Sequence, residues 1–293
     1  MTLISTVLEI VTPVFLLASI GFIWIKLGFE YRTRFVTQLT MTLGVPCLIF
    51  TALMQTEIAP SALVELSLAT ISVYVGITLA STLLIWLLSL NQRVYLAPIT
   101  FGNTGNLGLP LALLAFGDTG LSYAVVIFAV MAIYAFTFGV WIIAGGGSPL
   151  QLVKEPMVGA TVLGALFLWQ DWETPQFLTN TLELIGQTAI PLMLITLGVA
   201  VARPSTGGIR YAVVLSFAKL ILCFGVAWLL GRQFDLDDTA FAVLLLQVCT
   251  PVAVTSYLLA EKYNADPEKV AGLVVISTLL SIMALPAILA LTI

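Results

Sequence analysis

The chain has 293 residues, of which 60% are hydrophobic and 9% charged, and its mean hydropathy is +1.11. An ordinary soluble domain carries about 25% charged residues, so a soluble globular fold is excluded. The absence of histidine removes Ser-His-Asp and Cys-His catalysis, HExxH zinc sites and histidine-held haem. A net charge of −4 provides no basic patch for nucleic acid.

The three cysteines, Cys47, Cys223 and Cys249, lie singly inside apolar runs with no CxxC spacing, and read as small core residues. Nothing in the sequence calls for a metal or a cofactor, and no catalytic residue is assigned. The first apolar run has no Lys or Arg ahead of it, with Lys26 following it; this is the reverse of a secretory signal.

A helix needs about 20 mostly apolar residues to span a bilayer. Hydropathy and helix breakers divide the chain into ten such segments. The first five run Thr6 to Ile25, Phe35 to Met54, Ala62 to Leu90, Val94 to Phe116 and Leu121 to Ile143. A glycine-rich joint follows, Ala144-Gly145-Gly146-Gly147-Ser148-Pro149, and the second five run Pro156 to Trp169, Leu182 to Ala202, Gly208 to Leu230, Asp238 to Ala260 and Pro267 to Leu291. The expected organisation is a first repeat over 1–143, a cytoplasmic linker over 144–155 and a second repeat over 156–293.

The positive-inside rule tests the division. Lys26, Arg32, Arg34, Arg93, Lys154, Arg203, Arg210, Lys262 and Lys269 all fall on one side, whereas Arg232 falls opposite, among Glu57, Asp118, Asp171, Glu173, Asp235, Asp237 and Asp238. Both termini are then expected outside a multi-pass protein of the cell membrane. Trp24, Trp141, Trp169 and Trp172 lie near span ends, as interfacial aromatic residues do.

Two spans carry matching interruptions. The fourth contains Phe101-Gly102-Asn103-Thr104-Gly105-Asn106-Leu107-Gly108-Leu109-Pro110, too rich in Gly and Asn for a lipid-facing helix interior, and the ninth contains Gln247-Val248-Cys249-Thr250-Pro251. Setting Asn103 against Pro251 also brings Asp118 near Asp266, and, within a few residues, Pro46 near Pro191. Each half reads as five spans, and since five is odd the halves must be inverted in the membrane. Paired Gly/Pro-interrupted spans in two halves are the best sequence pointer to a transporter's binding site. A broken helix leaves N–H and C=O groups that persist in a membrane only where protein, water or ligand satisfies them. Its N-terminal ends suit anions and its C-terminal ends suit cations. Asn103, Thr104 and Asn106 supply polar groups at the first break, and Gln247, Thr250, Thr255 and Ser256 surround the second. Gly102, Gly105, Gly108, Pro110 and Pro251 are the expected hinge positions.

Lys219 lies about nine residues from Arg210 and thirteen from Arg232, too deep for easy snorkelling. An intramembrane Lys costs roughly 2.5–3.5 kcal/mol to insert. Two readings stand: an attractor for an anion or a fixed cation in place of a coupling ion, and a structural tie to the helix-break carbonyls. Glu9, Glu65 and Glu183 lie near span ends and read as solvated or capping groups. Asp235, Asp237, Asp238 and Asp266 read as loop charges with helix-capping duty.

The stretch Gly102-Asn103-Thr104-Gly105-Asn106-Leu107-Gly108-Leu109-Pro110-Leu111, with Thr250-Pro251, Ala260-Glu261-Lys262-Tyr263-Asn264-Ala265-Asp266-Pro267 and the late Ala284-Leu285-Pro286, resembles the auxin efflux carrier family over essentially the whole chain. The resemblance implies an all-α fold of ten transmembrane helices in two inverted five-helix repeats, with broken helices four and nine crossing. It implies a small organic carboxylate as substrate, auxin-like or a dicarboxylate such as malate or malonate, moved by alternating access. By motif, Asn103 carries over as a substrate contact and Pro251 as the crossover proline. A homodimer through the scaffold helices is likewise only what the resemblance implies. Plant members commonly have proline before the asparagine, where this chain has Gly102, and their long central loop is reduced here to roughly Ala144 to Glu155.

The sequence thus points to a secondary transporter of a small organic anion in the lipid bilayer. Asn103, Thr104, Asn106, Thr250, Pro251, Thr255 and Lys219 form its candidate site. The rival within transport is a sodium- or proton-coupled symporter or antiporter of similar layout. An enzyme is not expected, because there is no paired Asp in a GxGD setting and no nucleophile-base pair.

Overall fold

A computed structural model describes residues 3–55, 59–145, 156–202 and 209–292. Thirteen α-helices occupy them, with no strand among the described residues apart from one isolated backbone bridge. Six stretches are long and apolar enough to cross a membrane: Thr33–Met54, Ser61–Leu87, Thr104–Ala144, Gln176–Val199, Arg210–Gly231 and Pro267–Leu291. Shorter apolar helices cover Phe15–Lys26, Gly159–Gln170 and Asp238–Val248. Large apolar side chains cover the outside, Leu79, Trp86, Ile221, Leu229 and Met283 among them, which suits lipid and not water. The protein is a multi-pass, all-helical membrane protein.

Helix α1 (Leu3–Lys26) is followed by α2 (Thr33–Leu39) and α3 (Val45–Met54), joined by a π-helical turn over Thr40–Gly44. Pro46 has no N–H to donate to the preceding turn, and the chain accommodates it by widening that turn. Gly44 then lies against Ala189 of α9 (Gln176–Ala202). Small residues recur where α9 meets its neighbours. A Cβ at Gly21 or Gly198 would overlap backbone of the facing helix in the α1–α9 contact, and Gly186 lies against the backbone of Leu48. This is close helix packing through small residues, usual in membranes. Helix α8 (Pro156–Gln170) packs on α3 and completes this group.

The second group is built on α4 (Pro60–Leu87) and α10 (Ile209–Gly231), which touch where Gly76 faces Val226 and Leu230. Helix α5 (Gln92–Thr100) starts at an Asn91 cap, whose side chain accepts from Arg93 N, and ends after only nine residues. A π-helical segment, Thr104–Gly108, leads into α6 (Leu109–Tyr134); a second, Ala135–Gly139, leads into α7 (Val140–Ala144). The 41-residue run Thr104–Ala144 would be ~60 Å long if straight, twice the ~30 Å hydrocarbon core. Gly117, at φ +65°, divides it with a kink that L-residues resist. Helices α11 (Asp238–Val248), α12 (Val254–Lys262) and α13 (Pro267–Thr292) complete the chain. Asp237 caps α11 by accepting from Ala240 N at 2.8 Å and also accepts from Tyr123 Oη.

The observed ends refine the expected spans. Helix α9 begins at Gln176, six residues before the expected Leu182. The Gly/Asn-rich run of the fourth segment is mostly helical, and only Phe101, Gly102 and Asn103 leave the helix. Of the expected linker, Ala144 ends α7 and Gly145 adopts φ +76°; residues 146–155, with Lys154, lie outside the described residues, as do Glu57 and Arg203. The side chains of Glu9, Glu261 and Lys262 also lie outside them.

Candidate functional site

The two interruptions meet. Helix α5 stops at Thr100, Phe101 turns extended (φ −99°, ψ 129°), and Gly102 forms an antiparallel bridge with Val252. Asn103 N, which in an unbroken helix would donate to Ile99 O, donates instead to Pro251 O at 2.6 Å. Pro251 cannot donate at all. The next amide, Val252 N, donates to Ser277 Oγ of α13 at 3.0 Å, and Thr250 Oγ1 donates to Gln247 O at 2.6 Å. Most of the backbone freed by each break is therefore taken up by the other break and by α13, as a buried break requires.

Two glycines make the crossing possible. A Cβ at Gly102 would overlap Thr250 Oγ1, and one at Gly108 would overlap the amide of Gln247. At Gly102 the absence of a side chain is thus needed for close approach to the second break. Pro110 is buried in the first turn of α6.

A cavity opens on one side of the crossing. Asn103, Thr104, Gly105 and Asn106 line it from the first break, and Ala253, Thr255 and Ser256 from the second. Phe101, Phe128, Met131 and Met41 supply apolar wall. Asn103 is 4% exposed and Asn106 5%. Asn103 Nδ2 and Thr104 Oγ1 are buried without a hydrogen-bond partner among the described residues, an arrangement that costs about 1–3 kcal/mol per group when nothing else binds there. The helical runs beginning at Thr104 and at Val254 both start at this cavity. The N-terminal end of a helix carries partial positive charge, which favours an anion.

The opposite side has the opposite character. There Val248, Cys249, Thr250 and Pro251 of the α11 end meet Ser216, Lys219 and Cys223 of α10 and Ser277 and Ser281 of α13 around a small cavity. Lys219, 3% exposed, donates from Nζ to Ile99 O at 3.2 Å and lies 3.8 Å from Cys223 Sγ. The structure thus brings Asn103, Thr104, Asn106 and Thr255 around one cavity, and Lys219, Thr250 and Pro251 around the other. Lys219 is tied to a helix-break carbonyl.

The remaining charged residues sit elsewhere. Glu65 accepts from Asp235 N at 3.0 Å, Glu183 accepts from Gln55 Nε2 at 2.7 Å, and Asp266 pairs with Lys269 at 2.7 Å. Arg232 stacks over Trp228, 4.0 Å from the ring centroid. Among the described residues no three His, Cys, Asp or Glu side chains gather as a metal site. Sequence reasoning missed Ser277, whose side chain holds the second break's backbone from α13, and the apolar wall of Phe128 and Met131. A serine within an apolar span was the available signal for the first; the second has none short of the fold.

An all-helical membrane protein whose broken helices meet at a buried polar cavity is built as a carrier is built. The chain belongs to the membrane transport protein family, whose model matches residues 6–155 and 145–289. It is 25% identical to an "uncharacterized transporter" of Methanothermobacter thermautotrophicus over 95% of this chain and 96% of that one. It is 24% identical to another "uncharacterized transporter", from Methanocaldococcus jannaschii, and there the alignment spans 63% of each chain. A "putative malonate transporter" of Rhizobium meliloti is 28% identical over 64% of this chain and 63% of its own. The protein is a transporter and not an enzyme.

Proposed function

We propose that this protein is a secondary carrier that moves a small organic carboxylate across the cell membrane by alternating access at the crossing of its two broken helices. The observation that carries the reading is the cavity at that crossing, where two half-helices start and Asn103 Nδ2 and Thr104 Oγ1 are buried without partners among the described residues. A carboxylate accepts hydrogen bonds and carries the charge that helix N-termini favour. Asn103, Thr104, Asn106 and Thr255 hold it, while Thr250 and Pro251 shape the second break. Lys219 adds positive charge from the far side. The malonate in a relative's name supports a dicarboxylate such as malonate or malate, and the family resemblance extends the class to auxin-like acids.

The ten-span inverted repeat is part of the same reading, and the packing supports it. Helix α1 packs on α9 as α8 packs on α3, and α4 packs on α6 as α10 packs on α13. The bridge between Gly102 and Val252 agrees within two residues with the offset read from Asn103 and Pro251. Residues 1–143 and 156–293 are then the two repeats, joined by a cytoplasmic linker over 144–155 with both termini outside. Helices α1, α2–α3, α8 and α9 form a scaffold, through which a homodimer would assemble, and the other helices move against it.

The test is uptake of labelled malonate, malate and indole-3-acetate into proteoliposomes, with and without sodium, proton and voltage gradients. Saturable flux of one acid supports the carrier. No flux of any acid from folded protein removes the carboxylate reading, and sodium-dependent flux favours a coupled symporter.

A further inference from the structure

Lys219 lies across the crossing from the Asn103 cavity, and binding a substrate there does not account for its surroundings. Its ammonium is buried, and neither ion pair among the described residues involves it. What it does contact is Ile99 O, the carbonyl that lost its helical donor when Asn103 N turned to Pro251 O. That carbonyl belongs to the C-terminal end of α5, where partial negative charge collects. The small cavity around Nζ holds further oxygens, the hydroxyls of Ser216, Thr250, Ser277 and Ser281, and Ser216 Oγ has no partner among the described residues. Carbonyl and hydroxyl oxygens at the end of a half-helix are what a monovalent cation coordinates in a carrier of this layout.

We infer that Lys219 is a resident cation. Its tethered ammonium permanently fills a position that would otherwise take a dissociable sodium, potassium or ammonium ion, and so fixes the end of α5 and the start of the turn that presents Asn103. Lys219 is a positioning residue, since it acts on the cavity through Ile99 O. For flux, though not for ion binding, the inference rests on the carrier reading above. It deepens that reading by making transport indifferent to external monovalent cations.

The experiment is thermal unfolding of the purified full chain in sodium, potassium, ammonium or tetramethylammonium chloride at equal ionic strength, paired with labelled malonate flux. The wild type should melt at the same temperature in all four salts. Lys219→Ala should melt several degrees lower in tetramethylammonium, whose ion is too large for the cavity, and should recover saturably in ammonium or potassium. Should that variant be too unstable to purify in tetramethylammonium, recovery of folded protein on extraction in ammonium buffer reads the same property. Saturable stabilisation of the wild type by sodium overturns the inference, and so does a Lys219→Ala defect that is equal in all four salts. A wild type without malonate flux counts against the carrier and leaves the melting result standing. Intact wild-type flux with a variant blind to small cations sinks the resident cation alone.

Discussion

The two breaks are made of similar chain and differ in whether the polar groups they leave unpaired line a cavity. At the second, the backbone is paired, Val252 N with Ser277 Oγ, Gln247 O with Thr250 Oγ1 and Pro251 O with Asn103 N. The side chain left over there among the described residues, the amide of Gln247, faces Gly108 and lines neither cavity at the crossing. At the first, backbone groups are paired, Ile99 O by Lys219 and Asn103 N by Pro251 O, but Asn103 Nδ2 and Thr104 Oγ1 are left over. A buried polar group without a partner is costly, so its persistence beside a cavity marks where something else binds. The second break is a support, and the first is the surface it supports.

The largest expected effect comes from the leftover group. Asn103→Ala should reduce flux of the transported acid by roughly tenfold to a hundredfold, the equivalent of one charge-assisted hydrogen bond of about 1.5–3 kcal/mol. Its folding stability should not fall, since Nδ2 has no partner among the described residues to lose. Flux and unfolding measured on the same preparation check both halves. Normal flux would dissolve the distinction between the breaks.

Next in size is the crossing itself. Gly102→Ala drives a methyl group into Thr250 Oγ1 and should cost about 1–3 kcal/mol of stability, as overpacking does. Thr250→Ala removes the struck hydroxyl, so the double variant should be more stable than the two single losses add up to. Strict additivity in that cycle would mean that the breaks do not press on each other at this point.

On the supporting side, Ser277→Ala orphans the Val252 amide and should cost about 1–3 kcal/mol. Substrate affinity should change little, because Ser277 lines the Lys219 cavity and not the Asn103 one. A change in KM larger than the change in stability would place α13 in the binding cavity.

Much of this was legible in the sequence, and the reason is the membrane. Few residue types are tolerated in hydrocarbon, so Gly102 to Pro110 and Thr250-Pro251 stood out as violations, and Lys219 stood out as a buried charge. What stayed hidden was which violations share a side. Asn103 and Lys219 are both deep and polar, yet the crossing separates them, because Asn103 follows the break and Ile99, the partner of Lys219, precedes it. The Gly/Asn-rich run also overstated its irregularity. Thr104–Gly108 is helical in π form, and only Phe101, Gly102 and Asn103 leave the helix. Ser277 was invisible for a different reason: its role depends on α13 lying beside residues 25 positions away, which no local pattern encodes.

The smallest expected effect probes the seam between the two breaks. Thr255, half-buried in the first turn of α12, is the second-repeat hydroxyl facing the Asn103 cavity beside Ser256. If the second break only supports, its contribution to the ligand is a single neutral hydrogen bond of about 1 kcal/mol. Thr255→Ala should then raise the KM of the transported acid by about fivefold and leave the maximal rate and the melting temperature nearly unchanged. Thr255→Ser, which keeps the hydroxyl, should restore the wild-type KM. A loss as large as that of Asn103→Ala would instead make the two breaks equal partners in binding, with the ligand held symmetrically between the two half-helix ends.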